Sequence, residues 1–333
     1  MRRVARASVT GRKQAHVHNL GRKPAHSADR ATVPGVTAPA TDERLVRLLG
    51  YANPFAASSP IQPSPAVPSD FAEVDPSGFA WMFDPERAPL DAAEIRAALL
   101  RDTVPVPAPA NREDYFGEFH FAYWVSGFAT YKQLVAIARA HGVEQGAYFD
   151  FGGSTGRVFR HFHFQSDRWT VSSCDFKRTS VEWNLAHYPS AIQAFQGMYF
   201  PFLPIEDRTF DLVSAMSVFT HIDETETNWL MELRRVMKPG GIAVITVHND
   251  DHWPIMPPEL RRVIERHSPE FAALPALPPG RFVSNFRDDD PYRCNTFHSN
   301  DYIRTQWGRF FDVREIIPRA SGAQSAVILH KRP

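Results

Sequence analysis

The chain has 333 residues, 43% of them hydrophobic and 22% charged, which is enough for a large core and longer than one ordinary domain, so a main domain with an added segment is expected. Lys plus Arg equals Asp plus Glu at 37 each, leaving no overall field to draw the chain to nucleic acid or to an anionic membrane. Two cysteines, Cys174 and Cys294, cannot build a disulfide framework, and no apolar run approaches the roughly 18 residues of a membrane span, so the expectation is a cytoplasmic protein with neither a membrane nor a nucleic-acid partner.

Residues 1–40 are rich in Arg, Lys, His, Ala and Pro, carry Asp29 as their one acid and show no period, which predicts a disordered basic tail. Such a composition also suits a transit peptide or a nucleic-acid arm; a flexible tail is the simpler reading. Residues 41–114 form a Pro-rich extension, dense in proline from Asn53 to Pro109, with short helices expected at Thr41–Leu49 and, behind an Asp cap, at Asp91–Arg101. Residues 115–333 then read as the main domain. It opens on an aromatic-rich helix over 115–141, with Phe121, Trp124, Phe128, Tyr131, Leu134 and Ile137 three and four apart. Tyr115, Tyr123 and Trp124 there either cover a cleft or simply pack the helix down.

From Ala147 the pattern alternates between strands and helices. Strands are predicted at Ala147–Phe151, Trp169–Cys174, Ala191–Gln196, Phe210–Ala215, Gly241–Val247, Phe311–Pro318 and Gln324–His330, with helices at Gly156–Phe164, Ser180–His187 and Glu224–Met237 between the first five. This is the pattern of an α/β fold: a Rossmann-like, doubly wound, mostly parallel seven-stranded sheet covered on both faces. The last two strands are joined only by Arg319–Ala323, too short for a parallel crossover, so the final strand must be antiparallel. A Pro- and Arg-rich insertion, residues 253–296, precedes a helix at Ser299–Trp307 and lies where a cover for a second substrate is expected.

The stretch from Tyr148 to Arg157 is an apolar strand ending in Asp150-Phe151, followed by the turn Gly152-Gly153-Ser154-Thr155-Gly156. A sheet of this class binds ligands at the carboxyl ends of its strands, where this turn sits. A dinucleotide fingerprint needs glycine at the positions of Gly152, Ser154 and Arg157, and two of the three fail, which disfavours a nicotinamide cofactor. The next strand ends in Asp175, where a doubly wound fold places the acid that binds both ribose hydroxyls. Asp175 reads equally as a helix cap until it is coupled to the glycine turn, and Phe176 reads either as a cover for an adenine or as core.

Two further segments complete the picture: Leu203-Pro204 through Phe210-Asp211 to Met216-Ser217-Val218-Phe219-Thr220-His221, and Trp229 through Met237-Lys238-Pro239-Gly240-Gly241. In this order the motifs resemble class I S-adenosylmethionine-dependent methyltransferases of the type 11 and type 12 kind, bacterial members of uncertain substrate, over roughly Ala147 to His330. The resemblance implies S-adenosylmethionine as cofactor, with contacts from Asp150, Gly152, Gly153, Ser154, Gly156 and Asp175. It places Phe176, Gly197 and Met198 at the adenine and Met216 and Ser217 at the methionine end. Ser154 stands where the family usually has a glycine, and its Cβ narrows that contact.

Methyl transfer from a sulfonium is an in-line displacement that demands alignment above all, and a base only if the acceptor must lose a proton. His221, His248 and His298 are the candidate bases, each following a strand or opening a helix on the expected cofactor side, and each equally readable as an orienting hydrogen-bonder. The pair His248 and His252 invites a metal reading, but no further ligands stand at a recognised spacing, so no metal is expected. Arg281, Arg287 and Arg293 either recognise an anionic acceptor or belong to a solvated charged loop with Asp288-Asp289-Asp290. The expected reaction is methyl transfer to a small-molecule or glycan acceptor, at oxygen in the first place. A cofactor-binding scaffold without turnover is the alternative.

Overall fold

The computed structural model describes residues 90–286 and 294–332; the expected basic tail, the helix at Thr41–Leu49, Arg287 and Arg293 lie outside them. The sheet has seven strands: β1 (Gly146–Phe151), β2 (Trp169–Asp175), β3 (Ile192–Gln196), β4 (Phe210–Ala215), β5 (Met237–Val247), β8 (Asp312–Ser321) and β9 (Gln324–His330). Their spatial order is β3-β2-β1-β4-β5-β9-β8. The first five are parallel to one another, and β9 runs antiparallel to both β5 and β8, as the short connection before it requires.

Both faces of the sheet are covered, which is why its strands read as nearly continuous apolar runs. Side chains alternate across β1. Phe149 and Phe151 enter the core beneath α5 (Glu226–Val236) and α8 (Asn300–Gln306) with Trp229, Leu233, Ile303 and Trp307. Tyr148 enters the opposite core with Leu134, Ile137, Phe162 and Trp183, beneath α2 (His120–Ala140), α3 (Phe159–Phe164) and α4 (Arg178–His187). Helix α5 ends at Val236, and the chain passes straight into β5, whose first residues bulge out of register between Phe210 and Leu212 of β4.

Two differences from the sequence reading have local causes. Helix α2 starts at His120 and not at Tyr115, because Glu113, Asp114, Phe116 and Gly117 all hold left-handed backbone angles that no α-helix accommodates. The buried Arg112 anchors that segment by donating to Gly117 O at 2.5 Å. The insertion also has regular structure of its own. Helices α6 (Pro258–His267) and α7 (Pro269–Ala272) are followed by an antiparallel pair, β6 (Arg281–Asn285) and β7 (Cys294–His298). That pair closes a small core around Trp253, Phe271 and Phe297 and joins the main sheet through a bridge between His248 and Phe297.

The segment before α2 is fastened to the domain behind the glycine turn. Helix α1 (Ala92–Arg101) has Asp91 as its N-cap, accepting from Ala93 N at 2.7 Å. Asp102 then pairs with Arg160 of α3 (Nε to Oδ2, 2.7 Å), both side chains being fully buried. Helix α2 crosses the turn after β1 at Gly127, where a Cβ would lie 1.7 Å from Arg157 O; only glycine permits that approach. Among the described residues no helix is long and apolar enough to cross a membrane.

Candidate active site

Three loops meet at the carboxyl edge of the sheet. Ser154 N, in the turn after β1, donates to Asp175 Oδ2 at 2.9 Å, and Lys177 N donates to Oδ1 at 2.8 Å. Gly197 N, after β3, donates to Asp175 O at 2.9 Å. From the other side, Val218 after β4 packs so closely on Gly152 that a Cβ there would lie 2.4 Å from its Cγ2. The turn, the end of β2, Gly197 and the β4 loop therefore share one rim.

Within that rim the turn is self-contained. Gly152 N and Gly153 N both donate to Cys174 O, and Gly156 N donates to Gly153 O. Asn184 Nδ2 holds Ser154 O at 2.8 Å, and Tyr188 holds Thr155 O at 3.1 Å. Gly152 (φ +77°) and Gly156 (φ +85°) adopt the left-handed conformation that glycine allows at no steric cost. Gly153 and Gly156 are buried, whereas Gly152 and Ser154 reach the surface of the rim.

Ser154 is itself left-handed, at φ +47°, where the resembling family has glycine. Strain of that kind costs about 1 kcal/mol. Ser154→Gly is therefore expected to be neutral or stabilising by up to about 1 kcal/mol, although glycine ordinarily destabilises by about 0.5–1 kcal/mol through the unfolded chain. A thermal melt showing a clear loss would contradict the strain.

The two aspartates play different parts. Asp150 lies beneath the turn: its Oδ1 accepts from Ser214 Oγ at 2.7 Å, and burial raises its pKa to about 6 against that bond and the Arg157 charge. Asp175 lies on the rim, also raised to about 6, chiefly by burial and further by the nearby Glu113, with the Lys177 and Ser154 amides opposing. Each Asp175 oxygen has one backbone donor, which leaves acceptor capacity on a buried carboxylate. Glu113, from the segment before α2, reaches the same rim and pairs with Lys177 at 2.5 Å. Phe176 is half-buried and meets Tyr199 with ring centroids 4.7 Å apart, beside the exposed Met198. Met216 and Ser217 are partly exposed, and Ser217 N donates to Thr246 Oγ1 at 2.7 Å.

All three candidate histidines gather around β7. His221 Nδ1 contacts Cys294 O at 2.8 Å, an arrangement that puts the proton on Nδ1 and the lone pair on Nε2, in a side chain that keeps some exposure. His248 is buried at the end of β5. Burial, with His252, His221 and His298 around it, pushes its pKa well below the ordinary value, so it is neutral. Ser217 Oγ donates to Gln324 Oε1 (3.0 Å), which turns the Gln324 amide nitrogen toward His248 Nε2 (3.4 Å). With Nε2 accepting, the His248 proton sits on Nδ1. His252, stacked on it with centroids 4.3 Å apart, bonds Ala323 O through Nδ1.

His298 is fully buried, and its Nε2 meets Glu226 Oε2 at 2.5 Å. Glu226 also accepts from Tyr302 and Trp307, both at 3.0 Å, and pairs with Arg281 at 3.1 Å. Arg281, a candidate for an anionic acceptor, is thus committed to Glu226 and Asp223. Burial pushes the Glu226 pKa upward, but His298, Arg281 and Trp307 outweigh it and bring it down to about 2. The folded pKa lies below the unfolded one, so the stabilisation is present above pH 4.5 and lost as pH falls toward 2, on the order of 3 kcal/mol. Wild type should therefore exceed Glu226→Gln in unfolding free energy at pH 6, with the gap narrowing toward pH 3; a gap independent of pH would contradict it.

Sequence reasoning did not single out Glu226, Gln324, Asn184 or Tyr188. Glu226 reads only as an acid in a first helical turn and Gln324 as the start of a strand. Among the described residues, no group of three or more His, Cys, Asp or Glu side chains is placed to hold a metal ion.

Residues 149–245, from within β1 to within β5, match the family model described as a methyltransferase domain. No curated protein matches the chain. Among solved structures, the chain is similar to a SAM-dependent methyltransferase from Methanosarcina mazei, 15% identical, over 59% of this chain and 97% of that one with a TM-score of 0.43. It is also similar to the glycopeptide N-methyltransferase MtfA in complex with S-adenosylmethionine, 16% identical, over 61% and 94%, TM-score 0.43. A third similar structure, a methyltransferase from Methanococcus maripaludis described there only by its cofactor, is 18% identical over 63% and 88%, TM-score 0.41. The match to a methyltransferase domain thus spans β1 to β5, and the antiparallel β9 and β8 complete the seven-stranded, Rossmann-like sheet around it.

Proposed function

We propose that the protein transfers a methyl group from S-adenosylmethionine to an oxygen of a small-molecule or glycan acceptor. The observation that carries this reading is Asp175. It is a buried carboxylate at the meeting point of the β1 turn and the Gly197 loop, with an acceptor position left on each oxygen for the two hydroxyls of a ribose. A dicarboxylate or phosphate ligand would meet repulsion there.

When bound, the cofactor supplies an electrophilic methyl on sulfur. Asp175 holds the ribose, Phe176 and Met198 line the adenine end, and Met216 with Ser217 supports the methionine end. Gly152 and Ser154 form the exposed part of the turn, while Asp150, Gly153 and Gly156 hold it from below. His221 takes the acceptor proton, since it alone of the three candidate histidines is not fully enclosed. His248 is buried with its Nε2 against the Gln324 amide, and His298 belongs to the Glu226 network.

Incubation with methyl-labelled S-adenosylmethionine and a library of metabolites and glycans tests the reaction. Label recovered as a methyl ether or ester is the expected result; transfer confined to nitrogen or carbon would overturn the oxygen assignment. In the same assay His221→Ala should lower the rate at saturating cofactor by about 10²–10⁴ and leave cofactor affinity unchanged. An unchanged rate would remove His221.

A further inference from the structure

The zero net charge of the chain conceals a local segregation. Two open, adjoining hollows of about 480 and 550 Å³ lie at the edge of the sheet opposite the glycine turn. Their position follows from topology. Arg208 precedes β4, and Lys331 and Arg332 follow β9, whose His330 pairs with Ile242 near the start of the parallel run of β5.

Six cationic side chains line the first hollow and three line the second, Arg332 being common to both, so eight cations face two carboxylates. Both carboxylates are already taken: Asp207 by Arg235, and Asp312 by Arg332. Arg235 and Arg332 are further fixed by backbone carbonyls and make a rigid floor. Lys331 is buried beside them, its Nζ donating to Met237 O at 2.6 Å. Burial and the charges of Arg234 and Arg208 depress its pKa, as a surplus of positive potential requires. The exposed guanidiniums of Arg208, Arg309 and Arg304 complete the rim.

We propose that this groove binds the phosphodiester backbone of a single-stranded nucleic acid. Guanidinium groups fork onto phosphate oxygens, and a row of them offers successive sites along a strand. The hollows are open and lie in series, whereas a small ligand is held by a pocket that encloses most of its surface. The exposed Met231 and the half-buried Phe310 lie among the cations and give bases an apolar surface to rest on. A flat anionic membrane would not enter a concave groove. The site is a docking surface remote from the methyl-transfer rim and stands independently of the acceptor proposed there.

Fluorescence anisotropy of the full chain with labelled oligouridylate and oligothymidylate, between 50 and 200 mM salt, tests it. Affinity should fall with salt, with a log–log slope of about −0.7 for each phosphate contacted. Arg208→Ala, Arg304→Ala and Arg309→Ala should each weaken binding several-fold and make that slope shallower by about 0.7, with thermal melts and S-adenosylhomocysteine affinity unchanged. The two oligonucleotides separate RNA from DNA as the source of the strand. Four results would overturn the proposal: no binding, binding without salt dependence, binding untouched by the three changes but lost on removal of the basic residues 1–40, or capture by phosphatidylserine vesicles without capture of either oligonucleotide.

Discussion

Asp175→Ala is expected to weaken S-adenosylhomocysteine binding by about 10- to 150-fold, the equivalent of about 1.5–3 kcal/mol for hydrogen bonds to a charged group. The carboxylate holds the β1 turn through Ser154 N and the start of the next helix through Lys177 N, while the backbone carbonyl of the same residue holds Gly197 N, so its loss removes acceptors from the centre of the rim. The binding should also depend on pH. Burial holds the Asp175 pKa up near 6, and hydroxyl donors favour the ionised form, so wild-type affinity falls as pH drops below about 6, whereas the alanine variant lacks this limb. Stability moves the other way: a carboxylate raised above its unfolded value of 3.8 stabilises the fold most when protonated, and that contribution is lost as pH rises through 6. Because Asp175 also holds Ser154 N and Lys177 N, calorimetric titration should be accompanied by a melt. Asp175→Asn, which keeps an acceptor oxygen, should retain the fold while losing the pH limb. Affinity that is unchanged in both variants would refute the ribose assignment.

Asp102→Ala should cost about 3–5 kcal/mol of stability in urea unfolding, more than any single change on the rim. Asp102 accepts from Arg160 Nε at 2.7 Å and Nη2 at 2.9 Å and from Trp124 Nε1 at 2.8 Å, with both charged side chains fully enclosed. Although burial raises the Asp102 pKa, Arg160 more than compensates and holds it below the usual value. Removing the aspartate leaves a guanidinium in the core without its counter-charge. Breaking a buried pair is costly, whereas replacing both members with apolar groups often is not, so the double change Asp102→Leu with Arg160→Met should recover most of the loss. A single-variant loss below about 1 kcal/mol would contradict this view of the pair. Since Arg160 lies in the helix that follows the glycine turn, the pair also ties the α1 segment to the back of the cofactor rim.

The elements with strong local signals were legible in the sequence. Apolar runs located all seven strands of the main sheet, and the short connection expected at Arg319–Ala323, which the structure narrows to Gly322-Ala323, fixed the antiparallel end because chain length alone forbids a crossover. What the sequence hid depends on contacts between distant residues. The Asp102–Arg160 pair, the Glu226 network and the Gln324 link between Ser217 and His248 each join residues more than fifty positions apart. The β6–β7 pair was also unreadable, since Cys294-Asn295-Thr296-Phe297-His298 shows no alternation and all five residues are buried against other elements. Helix α2 was drawn too long, from residue 115, because left-handed backbone angles at Phe116 and Gly117 and not hydrophobicity set its start. Net charge was silent about the basic groove, since a sum over the chain carries no information about where charges lie.

A crystal structure of the full chain with S-adenosylhomocysteine tests the central claim most directly. Both ribose hydroxyls should lie about 2.7 Å from the Asp175 carboxylate, with the adenine against Phe176 and the thioether toward Ser217. A nucleoside bound elsewhere, or a rim between Ser154 and Gly197 closed by the protein's own side chains while the ligand sits outside it, would contradict the account.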